Sequence, residues 1–327
     1  MNFLNISAIS KKEGDEFLLK DVSFTQQKFK KIAIAGETGS GKSTLLKIIA
    51  GLVQPDTGEV LFENERVLGP EEKLIPGHPH IAYLSQYFEL RNNYHVEEIL
   101  AMANKMSDKE AQTIYEVCRI SHLLKRRTDQ LSGGEKQRIA TARLLIASPK
   151  LLLLDEPYSN LDMVHKTILK SVIRDIGEKL SITCLMISHD PLDTLSWADE
   201  IIVMKDGQII QQGTPKQIYT EPVNEYTAGL FGKFNLISPI HLVALTGLQG
   251  IEMNGKNIFV RPENFKIVTK ESDCLLGKVN RVDFFGSYYE IEVLLAENIF
   301  TVKAIENNVV KGDTIYLTLA ADKVWYV

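Results

Sequence analysis

Three short stretches hold residues whose types and spacing can do chemistry. The first is GETGSGKS, residues 36–43. Gly36, Gly39 and Gly41 allow a loop to turn its backbone N–H groups inward around phosphate oxygens, and the helix that follows points its positive end at them. Lys42 can reach the β- and γ-phosphates, and the hydroxyl of Ser43 can bind Mg²⁺. The candidate phosphate-binding set is therefore Gly36, Glu37, Thr38, Gly39, Ser40, Gly41, Lys42, Ser43 and Thr44. The second stretch is LLLLDEP, residues 151–157. An apolar strand ending in acid places Asp155 at the carboxyl edge of a sheet, where it can hold a Mg²⁺ water. Glu156 is then beside the γ-phosphate, a position suited to a general base acting on water. The third is LSGGEKQR, residues 131–138. Ser132 can cap a helix alone, so Gly133 and Gly134 ask for something that approaches the backbone closely. The orphan N–H groups of that helix start make a second phosphate reader. With one complete phosphate loop already present, its economical role is to grip a γ-phosphate bound by a neighbouring copy.

These residues need elements to position them. IAIA (32–35), LLLLD (151–155) and ITCLMIS (182–188) are continuous apolar runs of the kind buried on both faces of a largely parallel sheet. Helical spacing of Leu45, Leu46, Ile48, Ile49 and Leu52 predicts a helix after the glycine loop, and Ile139, Ala142, Leu145 and Ile146 form the buried side of the helix after Ser132. A helix-rich insert, about 95–130, separates the first two strands. Asp206-Gly207 between apolar runs predicts a hairpin. From about Asn235 the rhythm changes to short alternating strands, IFVRP, FKIV, YYEIEVLL, IFTVKA, TIYLTL and VWYV, which read as a small all-β barrel or sandwich.

Composition excludes several classes. The net charge of −5 gives no basic field for sequence-independent nucleic-acid binding. Cys118, Cys184 and Cys274 are far apart and form no CxxC pair, so neither a disulfide framework nor a zinc site is indicated, and a reducing compartment is expected. No apolar run approaches the ~18 residues of a membrane span, and the opening residues lack a secretory pattern.

Taken together the stretches resemble the nucleotide-binding subunits of ATP-binding cassette (ABC) transporters. GETGSGKST is similar to their Walker A, LLLLDEP to their Walker B and LSGGEKQR to their signature; SNLD (159–162), with Asp162, resembles the D-loop. Gln86 in IAYLSQYFEL resembles the Q-loop glutamine and His189 in MISHD the switch histidine. The resemblance implies an α/β phosphate-loop ATPase domain with a helical subdomain at about 95–148, residues 1–234 in all, followed by a transport-associated, OB-like β domain at 235–327. It implies ATP and Mg²⁺ as ligands, with Ser43, Gln86 and Asp155 at the metal, Asp155 through water, and Glu156, His189 and Gln86 as the catalytic set. It also implies a head-to-tail dimer in which Ser132, Gly133, Gly134 and Gln137 of one copy contact the ATP of the other.

The segment QIYTEPVNEYTAGLFGKFN (217–235) and VRPENFKI (260–267) resemble parts of importer subunits of the maltose, polyamine and ferric-iron type. Partners implied are permease subunits, reached through a groove beside Gln86 and the helical insert, and a solute-binding protein, with no nucleic acid. The implied location is the cytoplasmic face of a prokaryotic membrane. The alternatives are a soluble ABC ATPase acting on nucleic acid or ribosomes, and an exporter motor. One position departs from the family. Where an aromatic residue usually stacks on adenine this chain has Glu13, and Phe17 nearby is expected on the apolar face of its strand, so weak selection of the base is expected.

Overall fold

The computed structural model describes residues 3–86, 90–159, 161–238, 255–269, 274–295, 298–320 and 323–326. The chain divides into two compact units, Met1–Pro215 and Lys216–Val327.

The first unit holds a six-stranded sheet built from β3 (Ile32–Ala35), β6 (Ile81–Leu84), β7 (Leu151–Asp155), β8 (Thr183–Ile187), β9 (Glu200–Lys205) and β10 (Gln208–Gly213), in the order β10-β9-β3-β8-β7-β6. All neighbours are parallel except β10, which folds back on β9. Asp206 and Gly207 take φ of 48° and 74° in that hairpin, the left-handed pair that a two-residue turn needs. Every residue of β3, β7 and β8 is buried. Successive side chains point to opposite faces, so Leu151 and Leu153 join one core while Leu152 and Leu154 join another. The first core contains Leu45, Leu46, Ile48 and Ile49 of α1 (Lys42–Ile49). Leu52 does not follow them; α1 ends at Ile49, and Leu52 is 38% exposed.

The second core carries the insert, α2 (Val96–Ala103) and α3 (Asp108–Val117), against α4 (Gly133–Leu145) and α5 (Met163–Lys179). Ile139, Ala142, Leu145 and Ile146 are fully buried there. The short α6 (Pro191–Leu195) follows β8. A separate antiparallel sheet, β2-β1-β4-β5, is made of β1 (Leu4–Glu13), β2 (Glu16–Gln26), β4 (Thr57–Phe62) and β5 (Glu65–Arg66). Sequence reading did not separate it from the parallel sheet. Its apolar residues alternate with polar ones, the pattern of strands with one wet face.

In the second unit, β11 (Asn235–Ile237), β12 (Ile258–Val260) and β18 (Trp325–Tyr326) form one small sheet. A five-stranded antiparallel sheet follows the order β13-β17-β14-β15-β16, from β13 (Phe265–Val268), β14 (Leu275–Phe284), β15 (Tyr289–Leu295), β16 (Asn298–Ala304) and β17 (Thr314–Leu319). This unit also takes in α8 (Glu225–Leu230) and most of α7 (Pro215–Thr220). The tie is Arg261. Its buried guanidinium donates to the carbonyls of Tyr219, Ala228, Gly232 and Lys233 and lies 4.0 Å from the Tyr219 ring. The bonds come from Nε and Nη1, while Nη2 is buried without a partner among the described residues; together the four bonds offset part of the cost of burying the cation and fix the 219–233 segment to the β strands.

Candidate active site

The glycine loop runs from β3 into α1, and its last turn is fitted to its neighbours. Gly41 has φ of 92°, and a Cβ there would lie 2.4 Å from the Leu18 carbonyl oxygen. That carbonyl is pushed forward by a bulge: Lys11 faces Leu19 and Lys12 faces Phe17, leaving Leu18 as the extra residue of β2. The Leu18 side chain lines a cleft of about 510 Å³ together with Thr38, Gly39, Gly41, Lys42, Ser43, Thr44, Gln86, Glu156 and His189. Gly36 and Glu37 contribute carbonyls instead: the Lys42 ammonium donates to Gly36 O at 2.8 Å, Glu37 O at 2.6 Å and the Ser40 hydroxyl at 3.1 Å. Burial pushes the Lys42 pKa below its ordinary value, opposed by the charges of Glu156, Asp155 and Glu37. A buried ammonium held this way exchanges readily for contacts to phosphate oxygens, which restore full charge pairing.

Parallel pairing of β6, β7 and β8 sets the acidic half of the site. Asp155 is 4% exposed, and each of its oxygens accepts one hydrogen bond: Oδ1 from Ser43 at 3.0 Å and Oδ2 from Tyr83 at 2.7 Å. Burial, and then the bond to Asp155, raise the Tyr83 pKa. Tyr83 is a site residue that sequence reading missed. Its ring lines a second cleft of about 460 Å³, with Ala50, Leu52, Ile75, Pro76 and Leu144, on the outside of the sheet.

Glu156 sits just past the end of β7 with φ of 47°, a left-handed conformation unusual for a side chain of its size. Its backbone N–H donates to Ile187 O of β8, and its carbonyl accepts from the Ser159 hydroxyl at 2.7 Å. The carboxylate thereby turns toward two other candidates: Oε2 lies 3.0 Å from His189 Nδ1 and 3.5 Å from Gln86 Nε2. Residues 87–89, next to Gln86, and Asn160 of the SNLD stretch lie outside the described residues.

The Ser132 stretch starts α4 as expected. Ser132 Oγ accepts from Glu135 N at 3.2 Å, and Glu135 Oε2 accepts from Ser132 N at 2.8 Å, a reciprocal capping box. Ser132 and Gly133 are exposed and do not line the cleft around Lys42. Gln137 is 4% exposed and its amide donates to the Pro157 carbonyl of its own chain. Gly134 is buried as well, as are all residues from Gln137 to Ala142 of α4. Asp162 caps α5, accepting from Val164 N and His165 N at 3.0 Å each. Phe17 is also corrected: it is 46% exposed, with Lys12 Nζ 4.5 Å above its ring. The bulge at Leu18 shifts the side-chain alternation and turns Phe17 away from the core.

Whether the site suits Mg²⁺ follows from its donors. Ser43 and Asp155 offer a hydroxyl and a carboxylate on adjacent elements, and among the described residues no cluster of three or more His, Cys, Asp or Glu forms an all-protein cage. Mg²⁺ prefers oxygen and commonly takes one or two protein ligands, phosphates and water completing its shell. The residues fit.

A glycine loop between a buried parallel strand and a helix, a carboxylate bonded to the loop's serine, and a second carboxylate met by an amide and an imidazole define a phosphate-loop nucleotide hydrolase. Known proteins agree. The family profile described as ABC transporter matches residues 19–159. A spermidine/putrescine import ATP-binding protein (PotA) of Clostridium acetobutylicum is 31% identical over 342 residues, covering 98% of this chain and 95% of that protein. A sulfate/thiosulfate import ATP-binding protein (CysA) of a Synechocystis species is 31% identical over 307 residues, covering 90% and 85%. Among solved structures, a dimeric post-hydrolysis state of an ATP-binding cassette bound to ADP and Pi superposes with a TM-score of 0.56 at 26% identity, covering 65% of this chain and 98% of that one. The chain belongs to the ATP-binding cassette transporter family. Its activity is ATP hydrolysis, coupled to solute import. No helix among the described residues is long and apolar enough to cross a membrane.

Proposed function

We propose that residues 1–234 form the ATP-binding domain of an importer, docked on the cytoplasmic face of a membrane, and that residues 235–327 form a transport-associated β domain. The observation that carries the site assignment is the convergence of Gln86 and His189 on Glu156, one residue beyond Asp155. Gly36 to Thr44 wrap the phosphates and Lys42 bridges them. Ser43, Asp155 and Gln86 would hold Mg²⁺, Asp155 through water, and the ion would supply charge neutralisation for the phosphates. Glu156 accepts the proton of the attacking water, and the imidazole of His189 keeps that carboxylate aimed.

Ser132, Gly133, Gly134 and Gln137, lying outside their own cleft, contact the ATP of a second copy in a head-to-tail dimer, with Asp162 at the seam. The exposure of Ser132 and Gly133 at a capped helix start supports this. Permease subunits dock in the groove beside Gln86 and the helical insert at about 95–130. A solute-binding protein delivers the solute. Relatives at equal identity carry a polycation and an anion, which supports selectivity lying in those partners rather than here.

Glu156→Gln tests the assignment. The variant retains ATP binding, loses turnover and accumulates a closed dimer with Mg-ATP, measured by light scattering. Tagged and recovered from solubilised host membranes, it brings down a polytopic permease and a solute-binding protein. Rapid hydrolysis by the variant removes the base assignment, and recovery of ribosomes in place of a permease removes the transport reading.

A further inference from the structure

Three residues of α5, His165, Lys166 and Lys170, touch two loops of the site. A Cβ built on Gly134 would lie 2.5 Å from His165 Cδ2, 2.8 Å from Cγ and 2.9 Å from Cβ, closer than non-bonded carbons approach. The His165 ring therefore occupies the space a side chain at 134 would fill, against the first turn of α4. The ring is held from its other side, with Nδ1 2.6 Å from Asp162 Oδ2. The Asp162 carboxyl is held below its usual range, first by the His165 backbone N–H and then by the His165 ring.

One residue further on, Lys166 donates to Asp190 at 2.5 Å and lies 3.0 Å from Asp193, while Lys170 lies 2.6 Å from Asp193, which is almost fully buried. Asp190 follows His189 directly and caps α6. The start of α5 thus bears on the Ser132–Gly134 turn through His165 and on the His189 loop through Lys166 and Lys170. His165 and Lys166 are adjacent in sequence, and Lys170 lies little more than one helical turn beyond them.

We propose that His165 is a positioning residue for the contact α4 offers to a second copy, and that α5 ties this contact to the His189 loop of the same chain. The proposal rests on the head-to-tail reading above. Through it, the nucleotide state sensed at His189 in one subunit sets the placement of the Ser132–Gly134 turn presented to the next.

The test uses the full chain carrying His165→Ala or His165→Asn, the latter keeping a short donor to Asp162. Without nucleotide, amide exchange in peptides spanning residues 131–138 rises about tenfold in His165→Ala. Its kcat falls about tenfold with KM for ATP within about twofold, the mark of an interaction made on the way to the transition state. In the Glu156→Gln background it needs about tenfold more ATP to dimerise. His165→Asn recovers most of each effect. Unchanged exchange, a rise in KM at constant kcat, or equal losses in both variants overturns the proposal. A Glu156→Gln protein that stays monomeric overturns the head-to-tail reading and the proposal with it, whereas dimerisation of that protein undisturbed by His165→Ala overturns the proposal alone.

Discussion

Replacing Tyr83 with Phe removes one oxygen and leaves the ring in β6, which makes it a clean probe of how Asp155 is aimed. In the native chain the Asp155 carboxylate is nearly excluded from solvent and has one donor on each oxygen, Ser43 and Tyr83. A hydrogen bond to a charged group contributes about 1.5–3 kcal/mol, and a buried acceptor left without a partner loses at least that much. Taking about 2 kcal/mol, and about 2–4 °C per kcal/mol for a unit of this size, Tyr83→Phe should lower the melting temperature of the first unit by about 4–8 °C. The second consequence is kinetic. With Oδ2 released the carboxylate turns about its Cβ–Cγ bond, Oδ1 drifts from Ser43, and turnover falls about tenfold, in line with misplacement of a positioned group. Calorimetry on the nucleotide-free chain reads the first effect and steady-state phosphate release the second. A melting temperature within a degree of wild type, together with unchanged turnover, would refute the argument that Tyr83 holds Asp155.

Two further outcomes follow from the geometry. Glu13 faces Glu16 across the β1–β2 hairpin, and the exposed Phe17 is the aromatic ring beside that pair; with Glu13 at the stacking position ATP and GTP should turn over at comparable rates, and Glu13→Trp should strengthen ATP binding by ~1–3 kcal/mol, whereas a strong ATP preference in the wild type that is lost in Phe17→Ala makes Phe17 the stacking residue. The Asp190 pKa lies below its ordinary value: burial opposes the shift, and the bonds from Lys166 and Leu192 N outweigh it. A depressed carboxylate stabilises the fold above its unfolded pKa, near 3.8, and loses that stabilisation as pH falls through the lower folded value. The stability difference between wild type and Lys166→Met, from urea unfolding, should therefore be full at pH 7 and shrink below about pH 4; a difference constant from pH 7 to 3 would sink this.

Much of the site is legible in the sequence because its parts are contiguous and chemically odd. Three glycines beside a lysine, an acid pair closing an apolar strand and Ser-Gly-Gly before a helix have few other uses. Tyr83 is not legible, since a tyrosine in IAYLS reads as an ordinary strand residue until pairing with β7 sets it opposite Leu153 and beside Asp155. Nor is the bond from the Gln137 amide to the Pro157 carbonyl, which joins residues twenty apart in sequence. In the second unit β14 was not anticipated, because LLGKVNRVDF mixes a glycine and charges into its alternation. The tie of the 219–233 segment to Arg261 is not legible either, since its four carbonyl partners are more than twenty-five residues away in sequence. Only tertiary structure joins them.

The left-handed backbone of Glu156 bears on how this protein responds to selection. A non-glycine residue in that region gives up roughly 1 kcal/mol relative to glycine, and here the strained turn is what directs the carboxylate to Gln86 and His189. A library screened for heat resistance alone will favour Gly or Asn at 156, and under the base role proposed for Glu156 each such winner loses turnover. At this one dihedral angle, durability and work are opposed, so thermal selection must be run with turnover as a second condition.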